Sequence, residues 1–65
     1  MGKETIAEYS GRVIGTIETD SSGNKTVRNF SGTILGYYKK SMNATTDYTG
    51  KILYRGDASA ALLFR

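Results

Sequence analysis

Glu8, Asn29 and Asp47 hold the same place in three copies of a short unit: Glu8-Tyr9-Ser10-Gly11-Arg12-Val13-Ile14-Gly15, Asn29-Phe30-Ser31-Gly32-Thr33-Ile34-Leu35-Gly36 and Asp47-Tyr48-Thr49-Gly50-Lys51-Ile52-Leu53-Tyr54. A pair of carboxylates at a fixed separation is an acid–base arrangement that remains formally open to this chain. The repeat argues against it. One of the three positions is an amide, and acidic or amide side chains beside a turn commonly bond to the backbone two residues on. With no cysteine and no histidine in 65 residues, Ser-His and Cys-His nucleophiles are excluded, as are thiolate and imidazole metal sites. No phosphate loop, dinucleotide fingerprint or calcium loop is present. We therefore assign no catalytic residue, no metal site and no cofactor, and expect a protein that is not an enzyme.

Binding chemistry has three candidates. Tyr37-Tyr38-Lys39-Lys40, with Arg28, combines aromatic faces that stack on bases with cations that meet phosphate. Packing within a strand and protection of its end are the simpler roles for these residues. The net charge of +3 permits an anionic partner, but the bases are scattered among acids rather than gathered in a stripe. Tyr9, Phe30 and Tyr48, one per copy, form a potential ladder for a carbohydrate or other flat ligand. A repeated aromatic more often fills a repeat core. Arg55-Gly56-Asp57 spells a cell-adhesion tripeptide and reads better as a turn.

The elements that must position these residues follow from the glycines. Ser-Gly or Thr-Gly between β-prone runs supplies the positive φ that a tight hairpin needs. Ser, Thr and Gly make up about a third of the residues, and there is no proline, which favours strands and turns. We expect one all-β domain of three short hairpins over residues 4–23, 24–42 and 43–59. The strands would run from Glu4 to Tyr9 and Arg12 to Thr19, Lys25 to Phe30 and Thr33 to Lys39, and Ala44 to Tyr48 and Lys51 to Arg55. The apolar tail, residues 60–65, completes the fold as a C-terminal strand, with a short helix as the alternative. Whether the hairpin tips form a ring or a meander is left open.

A two-residue Ser-Gly loop would pair Tyr9 with Arg12, and a three-residue loop would exchange the faces. Either way the adjacent apolar pairs Val13-Ile14, Ile34-Leu35 and Ile52-Leu53 break the alternation of a sheet with one solvated face. A chain this short buries only about 60% of its unfolded surface, and it lacks disulfide and metal staples. Together these observations predict a homo-oligomer meeting through Val13, Ile14, Ile34, Leu35, Ile52, Leu53, Leu62, Leu63 and Phe64.

The aromatic, hydroxyl-glycine, two apolar residues and glycine of the first two copies resemble bacterial β-flower proteins. The resemblance covers about Thr5 to Gly56 and implies hairpins arranged about a pseudo-rotational axis, in a β-flower-like or small-barrel fold completed by oligomerisation. It implies no enzymatic activity. The third copy departs from the pattern, with Tyr54 where the others have glycine. The leading expectation is a small structural or interaction module. A basic barrel binding nucleic acid through Tyr37 to Lys40, and carbohydrate binding on the aromatic rungs, are the alternatives. The polar N-terminus, the lack of a run long enough for a membrane span and the lack of cysteine suggest a cytoplasmic location with no membrane partner.

Overall fold

The computed structural model describes residues 2–64. Six antiparallel strands form one sheet in sequential order: β1 (Gly2–Ala7), β2 (Val13–Thr19), β3 (Lys25–Asn29), β4 (Ile34–Lys39), β5 (Ala44–Asp47) and β6 (Ile52–Arg55). The sheet is an open meander with β1 and β6 as its edges, not a barrel closed within the chain. The β1–β2, β3–β4 and β5–β6 turns consequently lie together at one end.

The turns correct the two-residue expectation. Gly11 N donates to Glu8 O at 2.8 Å and Glu8 N donates to Arg12 O at 2.9 Å, leaving Tyr9, Ser10 and Gly11 as a three-residue loop. The pattern repeats with Gly32 on Asn29 and Gly50 on Asp47, and a fourth time between β2 and β3 with Gly23 on Asp20. Each loop is a tight turn followed by glycine in the left-handed region, with φ between 88° and 97°. That position favours a residue without a Cβ.

Each of the three repeat tips is followed by a β-bulge, which accounts for the adjacent apolar pairs. The register passes from Ile6↔Gly15 to Ala7↔Val13, from Val27↔Gly36 to Arg28↔Ile34, and from Thr45↔Tyr54 to Thr46↔Ile52. Ile14, Leu35 and Leu53 are the additional residues. Because a bulge sets two residues against one, it changes which face the following positions occupy. Leu35 and Leu53 pack against the core. Since cross-strand partners share a face, Val13, Ile34 and Ile52 lie on the other side.

The tail corrects the terminal-strand expectation. Ser59–Phe64 forms a 3-10 helix, η1, laid across β2, β3 and β4; Arg65 lies outside the described residues. Leu62 is 3% exposed and joins Ile17 and Val27 in the core, with Ile6, Leu35, Leu53 and Leu63 around them. Asp57 starts η1 by accepting from Ser59 N at 3.2 Å and Ser59 Oγ at 2.8 Å. Its second oxygen meets Lys25 Nζ at 2.6 Å. Thr45 Oγ1 donates to Gly56 O and accepts from Ala58 N, both at 2.9 Å. The Arg55-Gly56-Asp57 tripeptide is therefore the strap that turns the chain onto the sheet.

Gly15 and Gly36 sit where η1 and the next strand converge. A Cβ on Gly36 would stand 2.8 Å from Leu62 Cδ1, 3.2 Å from Asp47 Cα and well inside contact with the Thr46 carbonyl oxygen. Gly15 meets the Arg28 carbonyl and Leu63 in the same way. One face of the sheet is thereby covered by the chain's own tail. The other carries Val13, Thr16, Glu18, Thr26, Arg28, Ile34, Tyr37, Lys39 and Ile52 without a covering element, with Thr46 buried among its neighbours on that side.

Candidate functional site

The three turn tips carry the most exposed aromatic side chains of the molecule. Tyr9 is 108%, Phe30 71% and Tyr48 69% exposed. The core-rung role expected of a repeated aromatic is not what the structure shows; the core is filled by Ile17, Val27 and Leu62, with Ile6, Leu35, Leu53 and Leu63 around them. Successive tips are two strands apart, about 9.5 Å at ordinary strand spacing. Each aromatic is the first residue of its three-residue loop, directly after the position held by Glu8, Asn29 or Asp47.

Those positions latch the tips. Asn29 Oδ1 accepts from Ser31 N at 3.0 Å, Ser31 Oγ at 2.7 Å and Thr33 N at 3.0 Å. Asp47 Oδ1 repeats the set with Thr49 N at 2.9 Å, Thr49 Oγ1 at 2.5 Å and Lys51 N at 3.0 Å. Glu8 keeps one of these bonds, from Ser10 Oγ at 2.8 Å. The Thr49 hydroxyl, with the backbone donors of Lys51, Thr49 and Gly50, holds the Asp47 carboxyl below the usual aspartate range despite an opposing effect of desolvation second only to that of the hydroxyl. Carboxylates committed in this way fix loops, and a low pKa is the wrong direction for a proton carrier at neutral pH.

The tips are also electrically balanced. Glu8 is matched by Arg12 and Asp47 by Lys51, while Asn29 and Thr33 are neutral. Arg28 also reaches the second tip, its Nη1 3.5 Å from the Gly32 carbonyl oxygen, but its charge is paired with Glu18. Arg12, Thr33 and Lys51 are exposed beside the three aromatics and supply hydrogen-bond donors there.

The nucleic-acid candidates are only partly brought together. Arg28, Tyr37 and Lys39 share the open face, where Arg28 Nε meets Glu18 Oε1 at 3.1 Å and Lys39 Nζ lies 4.9 Å from the Tyr37 ring centre. Tyr38 is on the opposite face, buried, with its hydroxyl donating to Asn43 Oδ1 at 2.9 Å. Lys40 lies in the β4–β5 loop, its backbone N bonded to Asn24 Oδ1 at 2.9 Å. An open depression of about 510 Å³ on the same face is lined by Lys3, Glu18, Asp20, Asn24, Thr26 and Arg28, among others. Its carboxylates are already engaged, Glu18 by Arg28 and Asp20 by the backbone N–H groups of Ser22 and Asn24.

The expected oligomer residues also divide. Leu35, Leu53, Leu62 and Leu63 are packed within the single chain, and Ile14 is half-buried. Val13 at 45% and Ile52 at 44% are exposed, Ile34 lies between them half-buried, and Phe64 is exposed at the end of η1. Sequence reasoning found the tip aromatics but gave them the wrong surroundings. Among the described residues no three acidic side chains converge on a cation site, and no helix is long and apolar enough to cross a membrane. No known protein family, curated protein or solved structure matches the chain.

Proposed function

We propose that the protein is a small non-enzymatic interaction module whose working surface is the end of the sheet bearing Tyr9, Phe30 and Tyr48. The observation that carries this reading is the exposure of all three aromatics on latched turns. Exposed aromatic surface is unfavourable in water unless a partner covers it. Latching the loops beforehand reduces the ordering cost of binding. The test compares wild type with the Tyr9→Ala/Phe30→Ala/Tyr48→Ala variant on soluble polysaccharides, lipid vesicles and single-stranded nucleic acids. Wild-type binding to at least one class that the variant lacks is expected; identical behaviour on every class refutes the reading.

A second reading concerns assembly. Val13, Ile34 and Ile52 place one aliphatic side chain per hairpin on the uncovered face, just inside the tips. We propose that a second copy of the chain covers this row, giving a homo-oligomer in a protein too small to build a large core of its own. Solution mass by light scattering across a concentration series checks it. A multimer that Val13→Ser/Ile52→Ser converts to monomer is expected, and a wild-type monomer throughout rejects it.

A further inference from the structure

The geometry points to an extended, neutral, β-linked polysaccharide as the ligand of the tip row, an inference that rests on the tip end being the working surface. Charge narrows the ligand first. Glu8 with Arg12 and Asp47 with Lys51 cancel at the tips, although the chain as a whole carries +3. A polyanion gains most where cations are gathered and counterions are released; the loop residues provide no such excess, and Arg28, which reaches the Gly32 carbonyl of the second tip, is already paired with Glu18.

The mixture of groups narrows it further. Each tip offers an aromatic face, a Ser or Thr hydroxyl one residue later, and an exposed Arg, Thr or Lys two residues after that. A pyranose has the complementary arrangement, with an apolar face of C–H groups for the ring and a rim of hydroxyls for the polar neighbours. Ser31 and Thr49 donate their hydroxyl protons to the latching residue, so their oxygens retain acceptor capacity for a ligand hydroxyl.

Spacing supplies the third argument. In an extended β-1,4-linked chain alternate residues present the same face, and two residues are about as long as two strand spacings. Stacking on every second sugar therefore matches one aromatic per hairpin. The outer tips, Tyr9 and Tyr48, are four strand spacings apart, roughly 19 Å. Sheet twist turns each strand by about 20–25° relative to its neighbour, so the three tips fan rather than form a plane. Such a row follows a single twisted chain in solution and is poorly matched to a flat crystalline face.

The experiment is affinity electrophoresis of the full chain through gels containing hydroxyethylcellulose, mixed-linkage β-glucan, β-1,4-mannan, dextran or dextran sulfate, backed by calorimetry with a β-1,4-gluco-oligosaccharide length series. Retardation by at least one neutral β-1,4-linked polymer and none by dextran is expected, with no loss of binding at high salt. Affinity rises with oligosaccharide length until all three tips are spanned, as linked sites act at raised effective concentration. Each single tip-to-Ala change weakens association about two- to tenfold, the scale of one aromatic stacking contact. The conservative variant Tyr9→Phe/Phe30→Tyr/Tyr48→Phe keeps binding, and its urea midpoint verifies the fold. No retardation of wild type by any neutral β-glycan, or equal retardation of the triple alanine variant, overturns the glycan assignment. If dextran sulfate or vesicles then show tip-dependent binding, the interaction-module reading survives alone. If nothing depends on the tips, both fall.

Discussion

Gly36→Ala tests the account of how the tail and the hairpins are joined. The added methyl would overlap the Thr46 carbonyl oxygen and lie 2.8 Å from Leu62 Cδ1 and 3.2 Å from Asp47 Cα. Leu62 can rotate away, but the other two atoms belong to the backbone of β5. Overpacking a filled site costs about 1–3 kcal/mol, and the backbone contacts place this change near the upper end, about 3 kcal/mol. A chain of 65 residues has a total stability of roughly 3–10 kcal/mol at usual per-residue values. The variant should therefore lose a third or more of its stability, and its Tm should fall by about 12–24 °C. Urea unfolding followed by circular dichroism measures it. Gly32→Ala is the control: nothing lies within 4 Å of its Cβ, and its φ of 94° leaves backbone strain of roughly 1–2 kcal/mol as the only cost. In a double-mutant cycle with Leu62→Ala, the coupling should stay below about 1 kcal/mol, since the two backbone contacts remain when Leu62 is shortened. A loss under about 0.5 kcal/mol for Gly36→Ala, measured against a surface-substitution scale of similar size, would refute the close approach of β4, β5 and η1.

Further outcomes follow from the same geometry. Leu62→Ala should cost about 2–5 kcal/mol because the side chain is almost fully buried against Ile17 and Val27; an equilibrium unfolding curve within error of wild type would detach η1 from the core. Asp47 and Asp57 both have lowered pKa values, Asp47 chiefly through the Thr49 hydroxyl, and Asp57 because the bonds from Lys25 and Ser59 outweigh its burial. Depressed folded pKa values contribute stability above the unfolded value of about 3.9 and lose it as pH falls through the folded values. Asp47→Asn, which copies the latch of Asn29, should leave neutral-pH stability near wild type and flatten the decline below about pH 4; an unchanged acid limb counts against the latch. Tyr54→Gly should make the β6 edge accessible to a second chain and raise the solution mass at high concentration, whereas wild-type mass behaviour would show that Tyr54 does not guard that edge.

The hairpins were legible because their signal is local. A hydroxyl-glycine pair after an acidic or amide residue encodes both the positive φ and the side-chain latch, and all three tips fall where the repeats place them. Loop length was not legible, since two- and three-residue hairpins share the same Ser-Gly string. The bulges were hidden for a related reason. Val13-Ile14, Ile34-Leu35 and Ile52-Leu53 look like burial on two faces, and only the register shows that the second member of each pair is an insertion. Residues 60–65 were too few for periodicity to separate strand from helix. What resolves the tail in the structure is contact at a distance: Leu62 and Leu63 seat over Gly36 and Gly15, residues far away in sequence.

The departure of the third copy from the repeat has a physical meaning in this arrangement. Gly15 on β2 and Gly36 on β4 stand against carbonyl oxygens of β3 and β5, the first strand of the hairpin that follows each. The glycine is thus what lets a repeat accept its successor in register after the bulge. On β6 the same position is Tyr54, and no strand follows within the sheet. A seventh strand added in the established register would bring its backbone against the Tyr54 Cβ, the contact that the two glycines avoid. Unpaired strand edges invite uncontrolled pairing with other chains, and a side chain that obstructs the register is one way to blunt them. The substitution therefore marks where the meander ends. At the β6 edge, then, Tyr54 opposes growth of the sheet, whereas the tip aromatics and the Val13 and Ile52 side chains are exposed without a backbone obstacle.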